Sequence, residues 1–111
     1  AIQRNCDQAR YLAQRVENEP TLTLTTPVRL NIVCLRYVAQ GLADADADAL
    51  NVRLLTTLHL RGIAVPSLTR VDGRPVLRVC ITNHRTETDD LDAFVDAIAS
   101  IGAELAVTLG D

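Results

Sequence analysis

The dipeptide Asp72-Gly73, set between two alternating stretches at residues 67–71 and 74–82, constrains the fold more than any other feature. A two-residue hairpin needs positive φ at both central positions, and Asp-Gly supplies it at low steric cost. Two adjacent antiparallel strands are therefore expected. In the second strand the alternation puts Leu77, Val79 and Ile81 on one face and Arg78, Cys80 and Thr82 on the other. One face reads as core, and the other carries an arginine. The strand ends in the polar cluster Asn83, His84, Arg85, Thr86, just where a helix should begin. Thr86 or Thr88 is the expected N-cap, with Asp89, Asp90 and Asp92 near the positive end of the helix dipole. Leu91, Phe94, Val95, Ile98 and Leu105 form the apolar stripe of that helix.

The same patterns organise the rest of the chain. Ile2, Cys6, Ala9, Ala13 and Val16 recur at helical spacing, until Glu19 and Pro20 break the pattern. Residues 21–26, TLTLTT, alternate as an edge strand would, and Pro27 marks a turn. Residues 30–38, LNIVCLRYV, suit a central strand in which Arg36 shares a face with Leu30, Ile32, Cys34 and Val38. From residue 46 to 61 the period is helical again, with Ala47, Leu50, Leu54 and Leu58 on one stripe and Gly62 placed as the C-terminal cap. The order is helix, two strands, helix, two strands, helix. This is an α+β, two-layer pattern: a three- to four-stranded, mostly antiparallel sheet with three helices on one face. The other face receives no cover from this chain.

At 111 residues the chain is one domain by length, and a domain of this size buries roughly two thirds of its unfolded surface. With one Phe, two Tyr and no Trp, the core must be aliphatic and base stacking has almost no platform. A net charge of −3 further disfavours nucleic-acid binding, which concentrates positive charge to displace counterions. No segment approaches the roughly 18 uninterrupted apolar residues of a membrane span, and no basic-then-apolar leader opens the chain, so a cytoplasmic protein is expected. Three widely spaced cysteines, Cys6, Cys34 and Cys80, indicate half-buried reduced thiols rather than a disulfide framework. All eleven basic residues are Arg, and there is neither Lys nor Met. The helical spacing from the first residues suggests a chain that starts partway through a longer protein. Without lysine, Schiff-base chemistry has no amine in this segment, because arginine is not deprotonated in proteins.

Few residues qualify as site candidates. Asp44, Asp46 and Asp48 resemble the start of a calcium loop, yet Ala49 and Leu55 stand where its Gly and Glu belong, so a capped helix start is expected. Cys80 and His84 lack a nucleophile signature, and His59 reads as a partly exposed helical side chain. No metal site and no catalytic residue is expected. Arg78 differs, because an unpaired guanidinium in a central strand is costly and requires a partner. That partner is either a structural carboxylate, such as Asp90 or one on a segment absent here, or the carboxylate of a substrate, which the planar fork suits.

Taken together, LNIVCLRYV, DGRPVLRVCITNHRT and TDDLDAFVDAI resemble the C-terminal small domain of group II pyridoxal-phosphate-dependent amino-acid decarboxylases, the aromatic-amino-acid, tyrosine, glutamate and diaminobutyrate enzymes. The resemblance spans nearly the whole chain. It implies a fold-type I enzyme and a homodimer, with the pyridoxal 5'-phosphate lysine in a larger upstream domain of the same chain. It also implies that Arg78 meets the α-carboxylate of an amino-acid substrate, with Arg36, Asn83, Arg85 and Thr86 as structural neighbours. In such an enzyme this domain would position substrate, close the site and support the dimer, and would be inactive alone. The alternative from another class is a stand-alone α/β sandwich that binds a small ligand or regulates an enzyme.

Overall fold

The computed structural model describes residues 2–61, 66–81 and 87–110. Three helices and four strands follow the expected order: α1 (Ile2–Asn18), β1 (Leu22–Leu24), β2 (Ile32–Tyr37), α2 (Asp44–Leu60), β3 (Ser67–Val71), β4 (Arg74–Cys80) and α3 (Thr88–Gly110). The strands form one antiparallel sheet in the order β1-β2-β4-β3. The Asp72-Gly73 turn joins β3 to β4 as expected, with φ of +53° and +80°. Val33, Leu35, Tyr37 and Leu77 line the covered face and join Leu12, Val16, Leu50, Leu54, Leu58, Val95 and Ile98 in one buried cluster. Apart from Tyr37 and Phe94 that cluster is aliphatic, as the scarcity of aromatics required.

Several boundaries move, each for a local reason. Residues 30 and 31 do not belong to the central strand. Arg29 and Ile32 exchange backbone hydrogen bonds, so Leu30 and Asn31 make a tight turn, and Leu30 takes φ +53° with its side chain 73% exposed. The edge strand β1 shrinks to three residues. α2 starts two residues early, at Asp44, and Ala43 precedes it without a side-chain cap; Asp44 and Asp46 lie in the first turn against the helix dipole. For α3 the expected threonine cap is replaced. Thr88 is the first helical residue, and the Glu87 N–H donates to Asp90 Oδ2 at 2.8 Å, the backward half of a capping box. Gly62 and Thr86, the other two expected caps, lie outside the described residues.

Asn51 is the one buried polar residue described, and it resolves a conflict in the ladder. The β2–β4 register pairs Leu35 with Leu77, so continuing it would set Tyr37 against Pro75, which has no N–H to donate. Asn51 replaces the strand there. Its Oδ1 accepts from the Tyr37 N–H at 2.8 Å, and its Nδ2 donates to the Tyr37 carbonyl at 3.0 Å and to the Ala47 carbonyl at 2.8 Å. The Pro75 carbonyl, which Tyr37 does not use, accepts from Arg36 Nη1 at 2.9 Å. Tyr37 also dictates Gly102 of α3, where a Cβ would come within 3.0 Å of three ring carbons.

A second tie fastens α1 to α3. Asp92 accepts from the Tyr11 hydroxyl at 2.6 Å and from Arg15 Nε at 2.8 Å, while Arg15 Nη2 donates to Asp96 at 3.2 Å. Asp92, expected to serve the helix dipole, is thus a clasp between helices. The Tyr11 hydrogen bond, joined by Arg15, holds its carboxyl below the ordinary carboxylate value despite desolvation. The same bond raises Tyr11 above the ordinary phenol.

Candidate site on the uncovered sheet face

Pairing register fixes what stands on the sheet face away from the helices. Ile32 lies opposite Cys80, and Cys34 opposite Arg78; on the other side of β4, Ser67 lies opposite Arg78. Arg78 is thus at the centre of the face, flanked by a thiol and a hydroxyl. Alternation adds Arg74 and Arg36 toward one end and Cys80 toward the other. Between residues 20 and 38 and between 66 and 81, the chain carries Arg29, Arg36, Arg70, Arg74 and Arg78 against a single acid, Asp72. The sheet is locally basic in a chain of net charge −3.

The end near Arg36 and Arg74 is neutralised from within. Asp48, on the second turn of α2, accepts from Arg36 Nη2 at 3.0 Å and from Arg74 Nε at 3.1 Å, and Arg74 also pairs with Asp44 at 3.4 Å. Burial works against ionising Asp48, but the two guanidinium hydrogen bonds outweigh it and hold the carboxyl below its ordinary value. This accounts for two of the three aspartates that resembled a calcium loop: Asp44 and Asp48 are ion-pair partners. Among the described residues no group of three or more His, Cys, Asp or Glu is placed to hold a metal.

The Arg78 end is different. Arg78 makes no hydrogen bond or ion pair with any described residue, while Arg36 and Arg74 on the same face make several. Asp90, one of the partners the sequence allows, accepts from the Glu87 amide instead. Arg78 is half-exposed, a position from which a long arginine side chain can extend its head group toward solvent. Beside it, Cys34 is half-buried and Cys80 exposed, both as free thiols; Cys80 was expected to be half-buried. Asn31 Nδ2 donates to Cys80 Sγ at 3.5 Å and to the Ile81 carbonyl at 2.9 Å, and the Ile81 N–H donates to the Asn31 carbonyl at 2.9 Å. The Leu30-Asn31 turn thereby pins the end of β4.

Arg36, expected as a neighbour of the site, is a structural residue committed to Asp48 and Pro75, with its side chain 11% exposed. Asn83, Arg85 and Thr86, and with them His84, lie outside the described residues. His59 is exposed, with its Nε2 2.7 Å from the Pro66 carbonyl, which occupies it structurally. Neither Asn31 nor Asp48 was singled out as part of this face. The hairpin signal that would have exposed Asn31 is masked by Leu30, a residue that seldom takes positive φ.

Pyridoxal phosphate fits these residues poorly. With no lysine in the chain there is no Schiff-base amine, and Arg78, with no partner among the described residues, is suited to a carboxylate or another anion rather than to that covalent link.

No protein-family model matches the chain. It is 28% identical over 113 residues to an aromatic-L-amino-acid decarboxylase of Bacillus atrophaeus, covering 97% of this chain and 24% of that protein. It is 35% identical over 94 residues to an L-2,4-diaminobutyrate decarboxylase of Rhizobium meliloti (strain 1021), covering 84% of this chain and 19% of the other. The chain therefore spans about a fifth to a quarter of the curated relatives it matches. Its fold matches the crystal structure of Oryza sativa TDC with PLP and tryptamine at a TM-score of 0.85 and 24% identity, over 94% of this chain and 23% of that one. Over most of its length the chain is thus similar to one part of the PLP-dependent amino-acid decarboxylases, the family its sequence motifs resemble.

Proposed function

We propose that this chain is the C-terminal small domain of a pyridoxal-phosphate-dependent L-amino-acid decarboxylase, an enzyme that releases CO2 from an amino acid to leave an amine. The observation that carries the reading is Arg78, a guanidinium at the centre of an uncovered sheet face with no partner among the described residues. Similarity over 97% of this chain to a decarboxylase four times its length supports it. In this reading the cofactor is held by a larger domain of the same polypeptide, and no step of the chemistry is assigned to residues of this chain through it. When bound, the cofactor acts as the electron sink that makes loss of CO2 possible.

The chain's own part is to bind and orient. Arg78 offers two parallel N–H donors to the substrate α-carboxylate, fixing the plane of the group that leaves. Asn31 holds the end of the strand that bears Arg78. The Arg36–Asp48–Arg74 cluster keeps the neighbouring guanidinium groups from competing for the same anion. Docking of the uncovered face on the larger domain would exclude water from the carboxylate and strengthen its hydrogen bonds to Arg78.

The test is Arg78→Ala in the full-length enzyme. The variant is expected to keep the absorbance of bound cofactor while kcat/KM for decarboxylation falls by about 100-fold, the size of one lost charge-assisted hydrogen-bond pair. A variant with near-normal kcat/KM would overturn the assignment of Arg78.

A further inference from the structure

We infer that Leu30 is the anchor by which this domain docks on the larger one, entering an apolar pocket whose rim carries acidic side chains; the inference rests on the reading given above, in which the larger domain covers the open sheet face.

Leu30 combines two features that no described contact accounts for. Its backbone takes φ +53° while that of Asn31 beside it is not positive, the arrangement in which a two-residue turn prefers glycine. Its side chain is nevertheless large and apolar, and 73% exposed, so the strained backbone gains no burial in this domain. The turn is held from both sides. Arg29 and Ile32 exchange backbone hydrogen bonds, Asn31 Nδ2 donates to the Ile81 carbonyl at 2.9 Å, and the Ile81 N–H donates to the Asn31 carbonyl at 2.9 Å. Strain persists where the surroundings impose it, and such positions gather at binding contacts.

Position and charge select the occupant. Leu30 stands at the rim of the open face, two residues beyond the half-buried Ile32 of β2. The neighbouring strand β4 brings Arg78 to the same end of the face. Arg29, next to Leu30, is exposed, and its side chain has no partner among the described residues. This end is therefore apolar at Leu30 and Ile32 and cationic at Arg29 and Arg78, whereas the far end is already neutralised by Asp48. A second copy of this chain does not fit such a surface, because an isologous contact would set Arg29 and Arg78 of one copy against those of the other. An apolar pocket flanked by carboxylates does fit. This chain covers only 24% and 19% of two decarboxylase relatives, and in the reading above the remainder includes the domain that lies on this face. Seating Leu30 there closes the end of the face that holds Arg78.

The experiment uses the full-length protein and measures how often the face opens. Cys80 is exposed in this domain and lies opposite Ile32, so docking covers it. Its alkylation by iodoacetamide, mapped by peptide mass and divided by the rate in urea, reports the undocked fraction. The wild type should react slowly. Leu30→Gly, which the turn geometry favours, should react about 10- to 100-fold faster, the range for one leucine side chain returned to water. Leu30→Met keeps an apolar side chain and should stay near the wild type. A wild-type Cys80 that reacts as fast as in urea, or a Leu30→Gly rate no higher than that of Leu30→Met, overturns the anchor.

A diazirine analogue incorporated in place of leucine identifies the occupant. Irradiation should join Leu30 to peptides of the larger domain, while Leu35, buried in the core, should cross-link within this domain and serve as the control. A cross-link from Leu30 to another copy of this domain, or none where Leu35 gives its own, overturns the assignment of the partner. The decarboxylase reading fails by a different measurement: no cofactor absorbance and no release of CO2 in the unsubstituted protein, whatever the rate at Cys80.

Discussion

Arg36 and Arg78 occupy the same face of one sheet on adjoining strands, yet they meet opposite circumstances. Arg36 has an 11%-exposed side chain, with hydrogen bonds to Asp48 and the Pro75 carbonyl. Arg78 is half-exposed and has no partner among the described residues. The difference comes from α2, whose first turns bring Asp44 and Asp48 to one end of the face only. An arginine in a strand therefore becomes structural or available according to what the next element delivers, and the strand itself does not decide it. The two sheet faces differ in the same way: one is sealed by an aliphatic cluster, and the other displays a guanidinium and two thiols.

If stability belongs to the covered face and ligand chemistry to the open one, substitutions should separate by face. Leu77→Ala, at a fully buried position opposite Leu35, should cost about 2–5 kcal/mol of unfolding free energy in denaturant titration. Asn51→Ala should cost about 2–4 kcal/mol, because it orphans the amide and carbonyl of Tyr37 in the interior. Gly102→Ala should cost about 1–3 kcal/mol, as Tyr37 must move to admit the methyl group. A loss below about 0.5 kcal/mol at any of these three would break the division.

The α1–α3 clasp gives a pH signature. Asp92 is held below its ordinary value of 3.8, so the stability it contributes is present above that pH and is lost as pH falls through the depressed value. Tyr11 is raised above 10.0, so its contribution is present below that pH and is lost as pH rises through the raised value. Asp92→Asn should flatten both limbs of a melting-temperature profile, and an unchanged acid limb would remove Asp92 from the account. The smallest effect is expected at Leu30. Leu30→Gly relieves a strained backbone but loosens the unfolded chain, so the net change should stay within about 1 kcal/mol.

Much of the architecture was legible because its causes are local. The Asp72-Gly73 turn, the alternation of β4 and the leucine stripe of α2 each carry their own physics, and they yielded the element order and the helix-covered sheet. What could not be read depends on partners distant in sequence. Asn51 reads as an ordinary helical polar residue until Pro75 leaves Tyr37 without a strand partner. Asp92 looks like a helix-dipole acid until Tyr11 and Arg15 arrive from α1. Arg78 stands out in the sequence, but its partner does not: Asp90, one of those the sequence allows, accepts from the Glu87 amide, and no described residue takes its place. The Leu30-Asn31 turn was hidden because leucine at positive φ opposes local preference, and it took the ladder between Arg29 and Ile32 to impose it.

Measuring unfolding free energy and kcat/KM together for Arg36→Ala and Arg78→Ala, in the full-length protein, tests the central comparison most directly. Arg36→Ala should lose about 1–3 kcal/mol of stability, because Asp48 and the Pro75 carbonyl lose a donor. Arg78→Ala should stay within about 0.5 kcal/mol of the wild type while losing most decarboxylase activity. Equal destabilisation by both substitutions, with activity retained by Arg78→Ala, would show Arg78 to be a second structural arginine and would contradict the account.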